Sequence, residues 1–145
     1  MNRLAAYSET SPFNRVEMGE TSVGVIASGV CYYYAKEVFG DRASYLKLGF
    51  THPLPANLIR EFCSKVDKVY ILEENDPYIE EFVKQQGCEC IGKELFPYTG
   101  ELTPDVIRAC LGENSAEKID FDRSKLISRA PTFCAGCPHR GLFYR

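Results

Sequence analysis

Blocks of apolar and polar residues alternate along the chain in a way that predicts strands followed by helices. Residues 22–28 form a nearly continuous apolar run, as in a strand covered by helices on both faces. After Gly29, apolar residues recur at Val30, Tyr34 and Val38, a spacing that predicts a helix ending at the turn 40–41. This strand–turn–helix unit is the pattern for most of the chain.

Further units of the same kind follow. Strands are predicted at 44–49, 68–73 and 88–91, with the last at an edge of the sheet. Asp76 is predicted to cap the helix that begins at Pro77, and Thr103 and Pro104 to cap the final helix. Apolar spacing assigns these inward-facing residues to the three later helices: Leu58, Ile59, Phe62 and Val66; Ile79, Phe82 and Val83; Val106, Ile107, Cys110 and Leu111.

Strands that alternate with helices imply βαβ units, and therefore an α/β fold with a mostly parallel sheet between two helical layers. A first strand at 14–18, turned by Gly19 and Glu20 into a hairpin with 22–28, would make a mixed sheet of five strands with one antiparallel strand. Residues 1–13 are expected to form an N-terminal arm, 14–112 the domain, 113–132 a charged linker, and 133–145 the start of a further unit.

Composition narrows the function classes. The 45% apolar content supports a real core, whereas a net charge of −3 leaves no basic stripe for nucleic acid. No apolar run approaches the length of about 20 residues that a spanning helix needs, so we expect no membrane partner. Five of the seven cysteines lie in apolar stretches, which favours thiols in a reducing cytoplasm over a secreted disulfide framework: Cys31, Cys63, Cys88, Cys90 and Cys110.

Several polar residues follow predicted strands, at the carboxyl edge where open α/β sheets place ligands. Ser28 and Gly29 could hold a phosphate, although neither a dinucleotide fingerprint nor a Walker lysine is present and a tight turn explains the glycine equally well. His52 could act as a general acid or contact a neighbouring subunit, but a surface histidine in a stiff loop is favoured. Glu73 and Glu74 are interpreted as a solvated strand end.

The most distinctive motif is the C-x-x-C pair Cys134 and Cys137, because flanking Gly and Pro residues direct both sulfurs to one spot. One such pair is half a tetrahedral site, and His139 would be only a third ligand.

Cys88 and Cys90, in contrast, share a face of a presumed strand, cannot easily pair with each other, and are interpreted as core thiols. Residues 32–34, three tyrosines in a row, must include at least one core and one exposed side chain.

Five stretches together resemble the alpha subunits of indolepyruvate ferredoxin oxidoreductases, within the thiamine-diphosphate-dependent 2-oxoacid:ferredoxin oxidoreductase family. The matching stretches are residues 9–15, 46–55, 73–81, 100–104 and 134–141. The resemblance covers nearly the whole chain, and the order and spacing of the stretches agree. Ala135 departs from it, because a proline is expected between the two cysteines.

The resemblance implies an enzyme that decarboxylates an aryl 2-oxoacid, reduces ferredoxin and forms acyl-CoA and CO2. Its cofactors would be thiamine diphosphate, Mg²⁺ and [4Fe–4S] clusters. Residues 14–112 would form its transketolase C-terminal-like domain, a three-layer α/β/α sandwich with five strands. Residues 133–145 would begin the pyrophosphate-binding domain, with Cys134 and Cys137 as possible iron–sulfur ligands in the full-length enzyme only.

The sequence lacks the Gly-Asp-Gly segment that would hold magnesium and diphosphate, the activating glutamate of a preceding domain, and a cysteine-dense ferredoxin-like tail. We therefore expect a fragment cut at both ends that binds no cofactor and has no catalytic residue of its own. Its partners would be the adjacent pyrimidine- and pyrophosphate-binding domains, the beta subunit and, for the whole enzyme, ferredoxin. The alternatives are a small metal or redox module using Cys134, Cys137 and His139, and a nucleotide-binding regulator using Ser28 and Gly29.

Overall fold

The computed structural model describes residues 2–114, 120, 122–126, 135–137 and 139–140. Helices and strands alternate through most of this part of the chain, with short 3-10 turns at Gly40–Arg42 and Arg123–Lys125. The other elements, in chain order, are α1 (Asn2–Thr10), β1 (Arg15–Glu17), β2 (Gly24–Ser28), α2 (Gly29–Phe39), β3 (Ser44–Leu48), α3 (Ala56–Cys63), β4 (Val69–Leu72), α4 (Tyr78–Gln85) and α5 (Pro104–Cys110).

The strands form one mixed sheet in the order β1-β3-β2-β4. β2 runs parallel to both β3 and β4, and β1 runs antiparallel to β3. The predicted α/β class, with a mostly parallel sheet and one antiparallel strand, is therefore confirmed. The helices of the described residues pack on both faces of this sheet.

The predicted hairpin is wrong in its pairing, because β1 lies beside β3 and not beside β2. Ser44 explains the difference. Its hydroxyl accepts a hydrogen bond from the Gly19 N–H at 3.0 Å and donates one to the Glu20 carbonyl at 2.9 Å. The turn after β1 is thus fastened to the start of β3, which places β1 at an edge of the sheet.

The predicted fifth strand at 88–91 is reduced to one parallel bridge between Tyr70 and Ile91, so the described residues contain four strands. Pairing stops here because the next residues turn toward α4. The Lys93 N–H donates to a Glu80 carboxylate oxygen at 2.7 Å, and Gly92 lies so close to that carboxylate that a Cβ would collide with it. The backbone therefore leaves the edge of β4 after Ile91.

Side chains alternate between two apolar clusters, one on each face of the sheet. The α2 cluster packs the strand residues Val25, Ala27 and Tyr45 against α2 and α5, and the α3 cluster packs Ile26 and Leu46 against α3 and α4. The inward-facing helix residues expected from the sequence all belong to these clusters or pack against them. The three-layer arrangement is thereby confirmed.

The first element is helix α1, where the sequence led us to expect a strand as the first element. This helix is tied to α3. The Glu9 carboxylate accepts the N–H groups of Asn57 and Leu58, both at 3.0 Å, and so caps the N-terminus of α3. The Ser8 hydroxyl donates to the Pro53 carbonyl at 2.6 Å.

Asn14 joins this N-terminal segment to the end of β3. Its side-chain oxygen accepts the N–H groups of Gly49 at 3.0 Å and Phe50 at 2.9 Å, while its amide donates to the Ser8 carbonyl at 3.0 Å. The side chain is buried. Asn14→Ala would remove all three bonds, each of which contributes about 0.5–1.5 kcal/mol. The Gly49 N–H would keep only its longer bond to the Phe13 carbonyl, at 3.2 Å.

We therefore expect Asn14→Ala to lower the free energy of unfolding by about 2–4 kcal/mol, with an unchanged dependence on denaturant. Urea denaturation measures this. Asn57→Ala is the matched control, since its exposed side chain bonds only the side chains of Glu9 and Arg60. A loss below about 1 kcal/mol is expected for the control. Equal losses in the two variants would contradict the role assigned to Asn14.

Candidate functional site

A cleft of about 290 Å³ lies at the carboxyl edge of the sheet. This is where an open α/β fold usually places a ligand. Its walls come from the turn between β2 and α2, from Thr51 after β3, and from the segment between β4 and α4. The lining residues are Ser28, Gly29, Val30, Cys31, Thr51, Glu73, Glu74, Asp76, Tyr78 and Ile79.

Glu73 is buried, so its interpretation as part of a solvated strand end is wrong, whereas Glu74 is exposed. The Glu73 carboxylate accepts the N–H of Ile79 at 2.8 Å and that of Glu80 at 2.9 Å. These are orphan donors in the first turn of α4, and a carboxylate there also benefits from the helix dipole. Glu73 therefore has the capping role predicted for Asp76, and the N-cap position itself is Pro77.

Glu80 and Lys93 extend this buried polar group, and sequence reasoning missed both. One Glu80 oxygen accepts the Lys93 N–H, and the other accepts the Lys84 ammonium at 2.6 Å. The Lys93 ammonium donates to the Glu73 carbonyl at 2.6 Å and to the Pro97 carbonyl at 3.3 Å. The spacing of Glu80 and Lys84 on one helix face was a signal for their pairing, but nothing local indicated Lys93.

Burial raises the pKa of Glu73, although the N–H groups of Ile79 and Glu80 and the positive charge of Lys93 act in the opposite direction. Burial, with a smaller contribution from Glu74, also raises the pKa of the Cys31 thiol to about 11. Cys31 is therefore a neutral thiol at neutral pH and a poor nucleophile. The acid and thiol nearest the floor of the cleft both have environments that disfavour their charged forms.

His52 lies in the exposed loop after β3, as expected for a surface histidine. Its Nδ1 is 3.1 Å from the Tyr78 hydroxyl, which donates to the Thr51 carbonyl at 3.1 Å. Because the Tyr78 proton is directed to Thr51, the Tyr78 oxygen is free to accept from Nδ1 in the tautomer that carries its hydrogen there. Tyr78 therefore connects His52 to the rim of the cleft.

The turn that was a candidate phosphate site has the backbone geometry of a helix start. Gly29 has a φ of 54°, a conformation that favours glycine, and it opens α2 toward the cleft. The acidic side chains of Glu73, Glu74 and Asp76 line the same space. Because these carboxylates would repel a phosphate, the cleft does not fit the diphosphate of a nucleotide or of thiamine diphosphate.

The C-x-x-C motif is described only in part, because Cys134 lies outside the described residues. The Cys137 sulfur is 3.5 Å from His139 Nδ1. Within the described ranges, no group of three or more His, Cys, Asp or Glu side chains gathers as a metal site. Two donor side chains do not complete a ligand set for zinc or for an iron–sulfur cluster.

The tyrosine run behaves as predicted. Tyr32 is buried in the α2 cluster, and Tyr33 is exposed.

The six described cysteines are free thiols; Cys31 is buried and the other five are half-buried. No helix among residues whose placement is described has the length and apolar character to span a membrane.

Comparison with known proteins gives a consistent result along nearly the whole chain. The indolepyruvate oxidoreductase subunit IorA of Methanothermobacter marburgensis is 35% identical, and the IorA of Archaeoglobus fulgidus is 34% identical. Each alignment covers 99% of this chain and 26% of the relative, so the chain spans about a quarter of the length of these curated relatives. No family model matches the sequence.

A solved structure supports the fold. The 2-oxoglutarate:ferredoxin oxidoreductase from Magnetococcus marinus matches with a TM-score of 0.54 at 19% identity, over 68% of this chain and 19% of that one. The resemblance to the indolepyruvate ferredoxin oxidoreductase alpha subunit that the sequence motifs indicated is confirmed.

The raised pKa of Glu73 leads to a pH-dependent prediction. Over the range between its unfolded and folded pKa values, the folded chain binds more protons than the unfolded chain, so the contribution of Glu73 to stability falls as pH rises. Glu73→Gln removes this titration. We expect the free energy of unfolding of the wild type, relative to Glu73→Gln, to decrease as pH rises from about 4. Urea denaturation between pH 4 and about 7 measures the difference.

Glu74→Gln provides the control on the neighbouring residue. Because the Glu74 side chain is exposed, we expect the substitution to change stability by less than about 0.5 kcal/mol. A wild-type advantage over Glu73→Gln that grows with pH would show that the N–H groups of α4 outweigh burial, and it would contradict a raised pKa for Glu73.

Proposed function

We propose that this chain, similar along its length to one segment of IorA subunits, is a non-catalytic structural and interface domain of an aryl-2-oxoacid (indolepyruvate) ferredoxin oxidoreductase. The whole enzyme would use thiamine diphosphate and Mg²⁺ to form acyl-CoA and CO2 and would reduce ferredoxin. Residues 14–112 would be its transketolase C-terminal-like domain, 113–132 a linker, and 133–145 the beginning of the pyrophosphate-binding domain. Its free thiols are consistent with a cytoplasmic location.

The proposal rests on the hydrogen bonds that the buried polar side chains at the carboxyl edge make with the protein's own backbone. The Glu73 carboxylate accepts two N–H groups of α4, and the Glu80 carboxylate accepts the Lys93 N–H. The Lys93 ammonium donates to the carbonyls of Glu73 and Pro97. They therefore stabilise the loops at this edge. A catalytic acid or base, by contrast, needs to reach the proton of a substrate.

The exposed apolar surface supports an interface role. Five large apolar side chains that are exposed lie within residues 4–18: Leu4, Tyr7, Phe13, Val16 and Met18. They belong to α1, to edge strand β1 and to the residues that adjoin these elements. Exposed apolar side chains concentrated in one segment mark interaction surfaces in soluble proteins. Adjacent pyrimidine- and pyrophosphate-binding domains and the beta subunit are the partners we propose.

Cys134 and Cys137 are proposed as iron–sulfur ligands in the whole enzyme, where other segments would supply the remaining thiolates of a [4Fe–4S] site. A second candidate function is favoured by the contact between Cys137 and His139. In that case the chain would be a small metal-binding module that uses Cys134, Cys137 and His139.

Metal analysis distinguishes the two candidates. As an interface domain, the chain purified without oxygen is expected to contain less than about a tenth of an equivalent of zinc or iron, because three donors do not close a tetrahedral site. A stoichiometric metal that is lost in Cys134→Ser, but retained in the remote control Cys110→Ser, would favour the module.

The isolated chain is expected to give no ferredoxin reduction above background with indolepyruvate and coenzyme A, because the buried Glu73, Glu80 and Lys93 are bonded to backbone groups. The assay follows ferredoxin absorbance, and a complete indolepyruvate oxidoreductase is the positive control. A rate that depends on the chain would overturn the non-catalytic role.

Phe13→Ser tests the proposed interface. When the segment is expressed together with the remaining domains of its subunit, we expect this substitution to weaken their association about tenfold, because burial of one aromatic side chain contributes on the order of 1–2 kcal/mol. Tyr98→Ser is the control, since Tyr98 is similarly exposed but lies in the segment that follows the bridge to β4, toward the opposite edge. Equal weakening by both substitutions would contradict the assignment of this surface.

A further inference from the structure

Two cysteines that are far apart in sequence meet on the α3 side of the sheet. Cys63 is the last residue of α3, and Cys88 follows the Gly87 turn after α4. Both line one cleft of about 400 Å³, together with Arg60, Ser64 and Gln86. The two helices therefore bring these thiols to the same opening on the surface.

The two side chains are neighbours at this opening. Both thiols line this cleft and pack against the α3 cluster while remaining half-buried, and Cys88 is the neighbour that, after burial, most raises the pKa of Cys63. Small reagents can therefore reach sulfur atoms that are already neighbours. Cys88 lies outside the helices and strands, so its backbone can make the small adjustment that a sulfur–sulfur bond of about 2.05 Å needs.

Simple core packing explains a single half-buried cysteine but does not require two thiols to line the same cleft. A metal site is not supported, since the described part of the chain has no cluster of three or more possible ligands. Cys90 is the nearest rival in sequence. It lines a different cavity, with Asp67, Lys68 and Glu94.

We propose that Cys63 and Cys88 form an oxidisable dithiol, a modification site that low-molecular-weight disulfides convert into an internal disulfide. One thiol loses its proton and attacks the reagent disulfide, which forms a mixed disulfide and releases one reagent thiolate. The second protein thiolate attacks the protein sulfur of this mixed disulfide and releases the other reagent thiolate. The protein loses two electrons and two protons, and the reagent gains them as two thiols.

The environment makes the reaction slow at neutral pH. Burial, followed by the influence of the neighbouring Cys88, raises the pKa of Cys63 to about 12. Thiolate is the reacting form, so the rate of internal disulfide formation should rise about tenfold per pH unit below that pKa. The site therefore responds to sustained oxidising conditions rather than to brief exposure.

The test treats the folded chain with oxidised glutathione under anaerobic conditions, blocks the remaining thiols with an alkylating reagent, and maps tryptic peptides. Cleavage at Arg60, Lys65, Lys84 and Lys93 places Cys63 in peptide 61–65 and Cys88 in peptide 85–93, together with Cys90. The expected product links these two peptides with the loss of two hydrogens, and dithiothreitol reverses it. Peptide 61–65 recovered unlinked, or carrying only glutathione, would overturn the proposal.

Single substitutions assign the partner of Cys63. Cys90→Ser is expected to keep the link, whereas Cys88→Ser is expected to leave Cys63 as a free thiol or a glutathione adduct. The opposite pattern would assign the bond to Cys90 and overturn the proposal. Because the wild type and Cys90→Ser suffice for this decision, a folding defect in Cys88→Ser would not prevent it. A rate that does not change between pH 7 and about 8 would contradict the thiolate mechanism.

Discussion

The bond between the Glu73 carboxylate and the first turn of α4 is the constraint on which the carboxyl edge depends. It lets a buried acid end β4 and start the next helix only a few residues later. Lys93 then binds the carbonyl of Glu73, and Glu80 binds the backbone of Lys93. Each charge in this group has partners, which is the condition under which buried ions are tolerated.

The N-terminal segment uses the same physical device at the other side of the edge. Glu9 caps α3 as Glu73 caps α4, and Asn14 binds the backbone after β3. All three residues lie in stretches that carry the resemblance to the 2-oxoacid oxidoreductase subunits. In this domain, therefore, the polar residues of those stretches hold loops and helix starts in place. A distinctive polar motif is not by itself a sign of chemistry.

Local patterns predicted what local interactions determine. The apolar run of β2 and the Thr103 cap of α5, whose hydroxyl accepts the Val106 N–H, are found as expected. The failures involve partners distant in sequence. β1 pairs with β3 because of Ser44, and the strand expected at 88–91 shortens because Glu80 binds the backbone of Lys93. Likewise, the sequence spacing drew attention to Cys88 and Cys90 as neighbours. In the fold, Cys88 lies at the same cleft as Cys63, because the ends of α3 and α4 meet there.

The cleft at the carboxyl edge follows from the open topology of the sheet. An open parallel sheet leaves space there because loops diverge on either side of neighbouring strands. In this chain the buried acid beside that space, Glu73, binds the protein's own N–H groups, and burial disfavours its charged form. A ligand would have to compete with these internal bonds. The large apolar side chains of residues 4–18 are exposed to solvent, so covering them would release free energy that is still available to this domain.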